Sequence, residues 1–217
     1  DGRDMLMGHG KNDYGQMNLY HREFTNNGEL GPEYLIDPRV CECCPTSSVS
    51  FKDTLVVAYR DRSDEEIRDI YIARKTGDIW EPSYSVHNDG WKIAGCPVNG
   101  PMLSIRSNQI AIAWYTAAND KAKVNVAFSD DLGKTFSNPI RVDNGMPLGR
   151  VDLEWIDDDE VLVSWIESSE LSSNIVVRKI KNDLTMRDKI VISEVSKGRI
   201  SGYPQMETHK DQILFSW

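Results

Sequence analysis

No stretch of this chain approaches the roughly 18 consecutive apolar residues that a membrane-spanning helix requires, so no such helix is expected. No segment carries a sustained helical period bounded by caps, which removes a helical bundle. Basic residues form no stripe. The chain has 25 Lys and Arg against 34 Asp and Glu, a net charge of -9, and nucleic acid demands the opposite sign. The acidic residues are scattered through turn-like segments, where they read as a solvated surface. Histidine is scarce, and His9, His21 and His209 fall at the chain edge or on strand-like segments, where they take no assigned role. No secretion leader is visible in the opening Asp1-Gly2-Arg3-Asp4, which fits a mature or trimmed protein.

What is present is β structure. Hydrophobic residues make up 40% of the chain and six are Trp, ample material for stacked sheets. Short apolar strands ending in an aromatic recur: Leu55 to Tyr59, Ile110 to Trp114, Val161 to Trp165 and Ile213 to Trp217. Aligning Ala58, Trp114, Trp165 and Trp217 gives steps of 56, 51 and 52 residues. A period near 50 with four strands per unit predicts an all-β propeller. Complete blades are expected at about 40–88, 92–143 and 147–193, with half blades at 16–37 and 201–217. The two halves could pair and close a four-bladed ring. The preferred expectation is a fragment of a six-bladed propeller, completed by a missing segment or a partner chain.

Cysteine is concentrated. Cys41, Cys43 and Cys44 crowd into one hexapeptide ending in Pro45, and Cys96 stands apart before Pro97. Four cysteines permit three disulfide connectivities, and an even count suits an exported protein. Cys44-Pro45 and Cys96-Pro97 lie 52 residues apart, one blade period, so both should precede a first strand. The expected pairing is therefore Cys44 with Cys96, as a disulfide or through a shared metal. Cys41 and Cys44 have the two-residue spacing used for zinc or redox chemistry. With Cys96 and the loop residue His87 they form a candidate set for zinc or copper, because thiolates select soft cations. Extended backbone would send neighbouring Cys43 and Cys44 to opposite faces, whereas a tight turn at Glu42 would change that.

In a propeller the starts of first strands and the ends of second strands share the axial face. That face should gather Cys44, Cys96, Arg60, Arg62, Arg150, Asp152, Tyr203 and Glu167, and rings of this kind carry ligands there.

Between two further strand-like runs lies Ser129-Asp130-Asp131-Leu132-Gly133-Lys134-Thr135-Phe136. Ser129 and Asp131 can bond nearby amides, Gly133 can take a positive φ with Thr135 beside it, and Phe136 can pack beneath the hairpin. This pattern is an Asp-box, the BNR-type repeat, and with the blade period and the arginines it resembles the sialidase superfamily of β-propellers. The chain is similar in particular to exported sialidase-like proteins with a Cys-x-Cys-Cys-Pro segment. The resemblance implies arginines that clamp a substrate carboxylate, to which Arg60, Arg62 and Arg150 correspond by position. It also implies a tyrosine nucleophile activated by glutamate, matching Tyr203 and Glu167, and an acid, matching Asp89 or Asp152. The family's early Arg-Ile-Pro type motif is absent from these residues.

Three functions follow as expectations. The first is a propeller that binds a carbohydrate or protein ligand at its axial face without catalysis. The second is an exo-sialidase, and the third a propeller with a cysteine-based zinc or copper site.

Overall fold

Strand follows strand across short polar turns in the computed structural model, which describes residues 16–196 and 201–217. His9 lies outside the described residues. Among these residues the one helical element is a short 3-10 turn, Ala118–Asp120. All strand pairings are antiparallel.

Among the described residues the strands fall into five sheets in chain order. β1 (Met17–Phe24) and β2 (Leu30–Val40) form a hairpin. The second sheet runs β3 (Ser47–Phe51), β4 (Thr54–Arg60), β5 (Ile70–Thr76) and β6 (Ile79–Trp80), with β7 (Tyr84–Ser85) also on β5. The third is β8 (Met102–Arg106), β9 (Gln109–Thr116), β10 (Lys123–Ser129) and β11 (Ile140–Arg141). The fourth is β12 (Pro147–Trp155), β13 (Glu160–Ser168), β14 (Ser173–Lys181) and β15 (Ile190–Val195). β16 (Gln205–His209) and β17 (Gln212–Ser216) make the last pair. First strands of successive sheets stand side by side: β3 beside β8, β8 beside β12, and β12 beside β16. The chain is thus all-β, with meander sheets packed face to face around their first strands.

This stacking explains the continuous apolar runs in the second strands. Side chains alternate between faces of a strand, and β9 is covered on both. Ile110, Ile112 and Trp114 pack toward Val56, Ala58, Ile70 and Ile72 of the second sheet. Ala111 and Ala113 face Val151, Leu153, Val163 and Trp165 of the fourth. A strand buried on both faces needs no polar side, so its residues read as an unbroken hydrophobic run. The four apolar runs read from sequence lie in the second strands β4, β9, β13 and β17, the last running one residue beyond its strand at Trp217.

The turn between β10 and β11 is held by its own side chains. Asp131 Oδ1 accepts the amides of Lys134 and Thr135, both at 3.0 Å, and Asp131 Oδ2 accepts the Thr135 hydroxyl at 2.7 Å. Ser129 Oγ donates to Asp131 Oδ1 at 2.8 Å and accepts the Gly133 amide at 2.9 Å. These bonds hold the Asp131 carboxyl below its ordinary range, against the opposing effect of burial. Gly133 has a φ of 73°, and a Cβ there would press on Val56 at 3.3 Å. Arg74 Nε donates to the Leu132 carbonyl at 3.0 Å and the Tyr84 hydroxyl donates to that of Gly133. The turn therefore clips the third sheet onto the second, with Phe136 packed in the same core.

Candidate functional site

The segments leading into the first strands are laced to one another. Asn99, before β8, is the centre of the lacing. Its Nδ2 donates to the carbonyls of Pro97 and Leu148, both at 3.2 Å, and its Oδ1 accepts the Arg150 amide at 2.6 Å. Close approach demands glycine at two points: a Cβ on Gly100 would overlap the Pro45 carbonyl, and one on Gly149 would overlap the Asn99 amide. The Tyr203 hydroxyl donates to the Val98 carbonyl at 2.6 Å, and Arg150 Nη1 donates to the Gly202 carbonyl at 2.6 Å. The Arg150 guanidinium lies 5.5 Å from the centre of the Tyr203 ring. Four sheets are joined through this belt.

Two non-glycine residues in the belt are held in left-handed backbone: Val98 with φ 52° and Arg150 with φ 55°. For a β-branched residue such as Val98 this is a genuine outlier, and each such residue costs about 1–3 kcal/mol.

The arginines divide sharply. Arg60 is only 2% exposed, and its Nε, Nη1 and Nη2 donate to the carbonyls of Asn99, Arg68 and Tyr115 at 2.8, 2.5 and 2.7 Å. Trp91 covers its guanidinium at 4.8 Å. Arg62 is engaged by Glu66 at 2.7 Å and by Glu42. Arg68, unassigned from sequence, pairs with Glu42 at 3.1 Å and Glu66 at 3.0 Å. Arg60 and Arg62 thus hold internal partners. Arg150 remains half-buried on the belt beside Tyr203, which is 36% exposed.

The acidic candidates are likewise committed. Glu167 accepts the Trp165 indole at 3.0 Å and is paired with Lys189. Asp152 accepts the amides of Leu153 and Met206, and burial pushes its carboxyl up. Asp89 accepts the Trp114 indole at 2.7 Å and lies 2.9 Å from His87 Nδ1.

The sulfur chemistry differs from the expected pairing. Cys96 is bonded to Cys43, with Cα atoms 5.9 Å apart, and Cys41 and Cys44 are free thiols. The chain turns at Glu42 and Cys43, so the alternation of an extended strand does not apply, and Cys43 swings toward Cys96. Cys41 Sγ lies 3.0 Å from Cys44 Sγ and 3.8 Å from Cys43 Sγ. The three sulfurs of Cys41, Cys43 and Cys44 fall within 4.8 Å of one another, close enough to share one metal ion. His87 is not in that group; its side chain is exposed and turned to Asp89. The hydrogen bond with Cys44 holds the Cys41 thiol down at about 6; burial opposes this, and Arg68 Nη1 at 3.3 Å adds to it. The same bond and burial push the Cys44 thiol up.

Sequence reasoning missed Asn99, Arg68 and Glu42. Only Glu42 carried a signal, as the charged residue inside the cysteine cluster.

No protein-family profile matches this chain, and no curated protein matches it in sequence. Solved structures do. A Hadza microbial sialidase matches 74% of this chain at 16% identity with a TM-score of 0.46. The catalytic domain of a Coprinopsis cinerea GH62 α-L-arabinofuranosidase matches 73% at 11% identity and 0.46. An exo-β-1,3-galactanase from Clostridium thermocellum matches 86% at 12% identity and 0.49. The chain spans 39%, 53% and 42% of those three proteins. No helix among the described residues is long and apolar enough to cross a membrane.

Proposed function

We propose that this chain is part of a sialidase-like β-propeller that binds a carbohydrate on its axial face without hydrolysing it. Each meander sheet is one blade, about 40–88, 92–143 and 147–193, and the pairs at 16–37 and 201–217 are half blades. The carrying observation is the seam at which Arg150, in strained backbone, stacks on the half-exposed ring of Tyr203. Strain of this kind persists where the surroundings over-determine it, and it clusters at ligand sites. An aromatic ring offers a flat apolar surface, and a guanidinium beside it offers paired donors to a carboxylate. Together they suit an acidic saccharide.

Binding without chemistry is favoured by how the other candidates are held. The Tyr203 hydroxyl donates to a backbone carbonyl, and Glu167 is occupied by Trp165 and Lys189. A nucleophile activated by glutamate would require both sets of bonds to be given up. The disulfide favours an exported protein, since such bonds persist in oxidising compartments.

Calorimetric titration with a carboxylate-bearing saccharide and its neutral counterpart tests the reading. The acidic ligand should bind, and Arg150→Ala should weaken it by about tenfold or more, the loss of a charge-assisted pair. A fluorogenic sialoside should show no turnover above background. Turnover that Tyr203→Phe abolishes would establish a sialidase and overturn the non-catalytic proposal.

A further inference from the structure

We propose that Cys41, Cys43, Cys44 and Cys96 make a thiolate site for a thiophilic d10 cation, zinc(II) or copper(I). Joining Cys43 to Cys96 closes the site, and reducing that bond opens it. The proposal is independent of the carbohydrate reading, because it uses none of the Arg150–Tyr203 seam.

The geometry carries it first. In a tetrahedron with metal–sulfur bonds of about 2.3 Å, neighbouring sulfurs stand about 3.8 Å apart. The Cys41 and Cys43 sulfurs are already 3.8 Å apart, and Cys44, within 4.8 Å of Cys43 and 3.0 Å from Cys41, would move outward by less than 1 Å to complete the same face. The fourth sulfur, Cys96, comes from a different segment and is already at the cluster through its bond to Cys43. The two segments are held together independently of that bond, because Gly100 admits the Pro45 carbonyl. Reduction should therefore leave four thiols around one point. Cys43, Cys44 and Cys96 are partly exposed, which gives a reductant and a metal ion access.

The charge around the cluster is a second, independent argument. Four thiolates on one such cation carry a net negative charge, and a site for them needs buried positive charge nearby. Arg60 is buried against the cluster, where its guanidinium interacts with the Cys44 and Cys41 sulfurs and, more weakly, with Asp69; it forms no direct ion pair with a carboxylate among the described residues, and three of its nitrogens donate to backbone carbonyls. A buried guanidinium without an anion is costly. Arg68 Nη1 contacts the Cys41 sulfur directly. The acidic neighbour, Glu42, is neutralised by Arg62 and Arg68. Anionic sulfur beside Arg60 would supply it a counter-charge at close range, and Arg68, already paired with Glu42 and Glu66, adds a direct contact to the Cys41 sulfur.

The chemistry balances. An external dithiol gives two electrons and two protons to the Cys43–Cys96 bond and is itself oxidised to a disulfide. Metal binding then displaces the thiol protons to solvent. While the disulfide stands, two of the four sulfurs cannot serve as thiolate ligands.

The test uses the full chain, oxidised and after reduction with a phosphine that is then removed under anaerobic conditions. Zinc is titrated against a chromophoric chelator, and cobalt(II) serves as a coloured stand-in. The reduced chain should take up one metal and show the intense thiolate-to-cobalt charge-transfer bands of tetrahedral sulfur coordination. The oxidised chain should bind roughly 100-fold more weakly or not at all. Cys41→Ser and Cys96→Ser should each weaken binding and alter the bands, whereas His87→Ala should leave both unchanged. Circular dichroism confirms that each variant keeps its strands. The comparison of oxidised with reduced wild-type protein needs no variant. Equal zinc affinity in the two states, or no sulfur bands with cobalt, would overturn the proposal. So would a loss on His87→Ala equal to that on Cys96→Ser.

Discussion

Asn99 Oδ1 accepts the backbone amide of Arg150 at 2.6 Å, and this bond ties the approach to the third sheet to the start of the fourth. The same side chain donates to the carbonyls of Pro97 and Leu148. Because Asn99 is buried, Asn99→Ala would strand an amide and two carbonyls away from water. Leaving such groups unpaired costs about 1–3 kcal/mol, so a loss of that size is expected in urea denaturation. Arg150 would also lose its fixed backbone, and saccharide affinity should fall with stability. Unchanged affinity in the folded variant would show that the belt does not position Arg150.

The turn at Asp131 should separate stability from binding. Asp131→Ala removes the acceptor for the Lys134 and Thr135 amides and for the Thr135 hydroxyl. A cost of about 1–2 kcal/mol is expected for the loss. The turn faces the second sheet, away from the Asn99 belt, so ligand affinity should survive. A shift in the denaturation midpoint with an unchanged titration curve is the expected pair of results.

Part of this architecture was legible in the sequence, for a physical reason. Second strands buried on both faces must be apolar throughout, so β9 and β13 announce themselves as apolar runs; β4 and β17 repeat the pattern, although in β17 Leu214 is exposed. The turn at Asp131 was legible because its bonds are local, between residues at most four apart. The cysteine pairing was not. A repeat of 52 residues aligns Cys44 with Cys96 along the backbone, but the turn at Glu42 and Cys43 decides which sulfur faces which. Nor was the fate of Arg60 legible, because its three acceptors come from residues as far away as Asn99 and Tyr115. Long-range carbonyls leave no trace in a local pattern.

Asp61 should make stability depend on pH. Burial, joined by repulsion from Asp37 and Asp69, raises its carboxyl to about 6 from the ordinary 3.8. With its folded value above its unfolded one, the folded state holds the extra proton between these limits. Stability should therefore fall as pH rises through about 4 to 6 and level off above that. Asp61→Asn keeps a neutral side chain at every pH. It should gain about 1–2 kcal/mol relative to the parent at pH 7.5, a value discounted for partial exposure. Urea midpoints from pH 4 to 7.5 check this. A parallel pH profile in parent and variant would show that Asp61 titrates as it does in the unfolded chain.

Arg60→Lys tests whether the centre of the molecule depends on a planar fork or only on positive charge. The guanidinium reaches the carbonyls of Asn99, Arg68 and Tyr115 with three separate nitrogens, under the face of Trp91. An ammonium keeps the charge, but it is a compact point that cannot span three carbonyls presented in one plane. At least one buried carbonyl would then be unpaired, and the charge itself would be poorly solvated. A loss of about 3 kcal/mol or more is expected, in the range for breaking a buried charged network. Arg60→Met removes the charge and all three bonds while keeping much of the volume. If fork geometry is what matters, Lys should be no better than Met in urea denaturation. If Lys restores most of the parental stability, positive charge alone suffices, and the three carbonyl bonds are incidental to holding Arg60 in place.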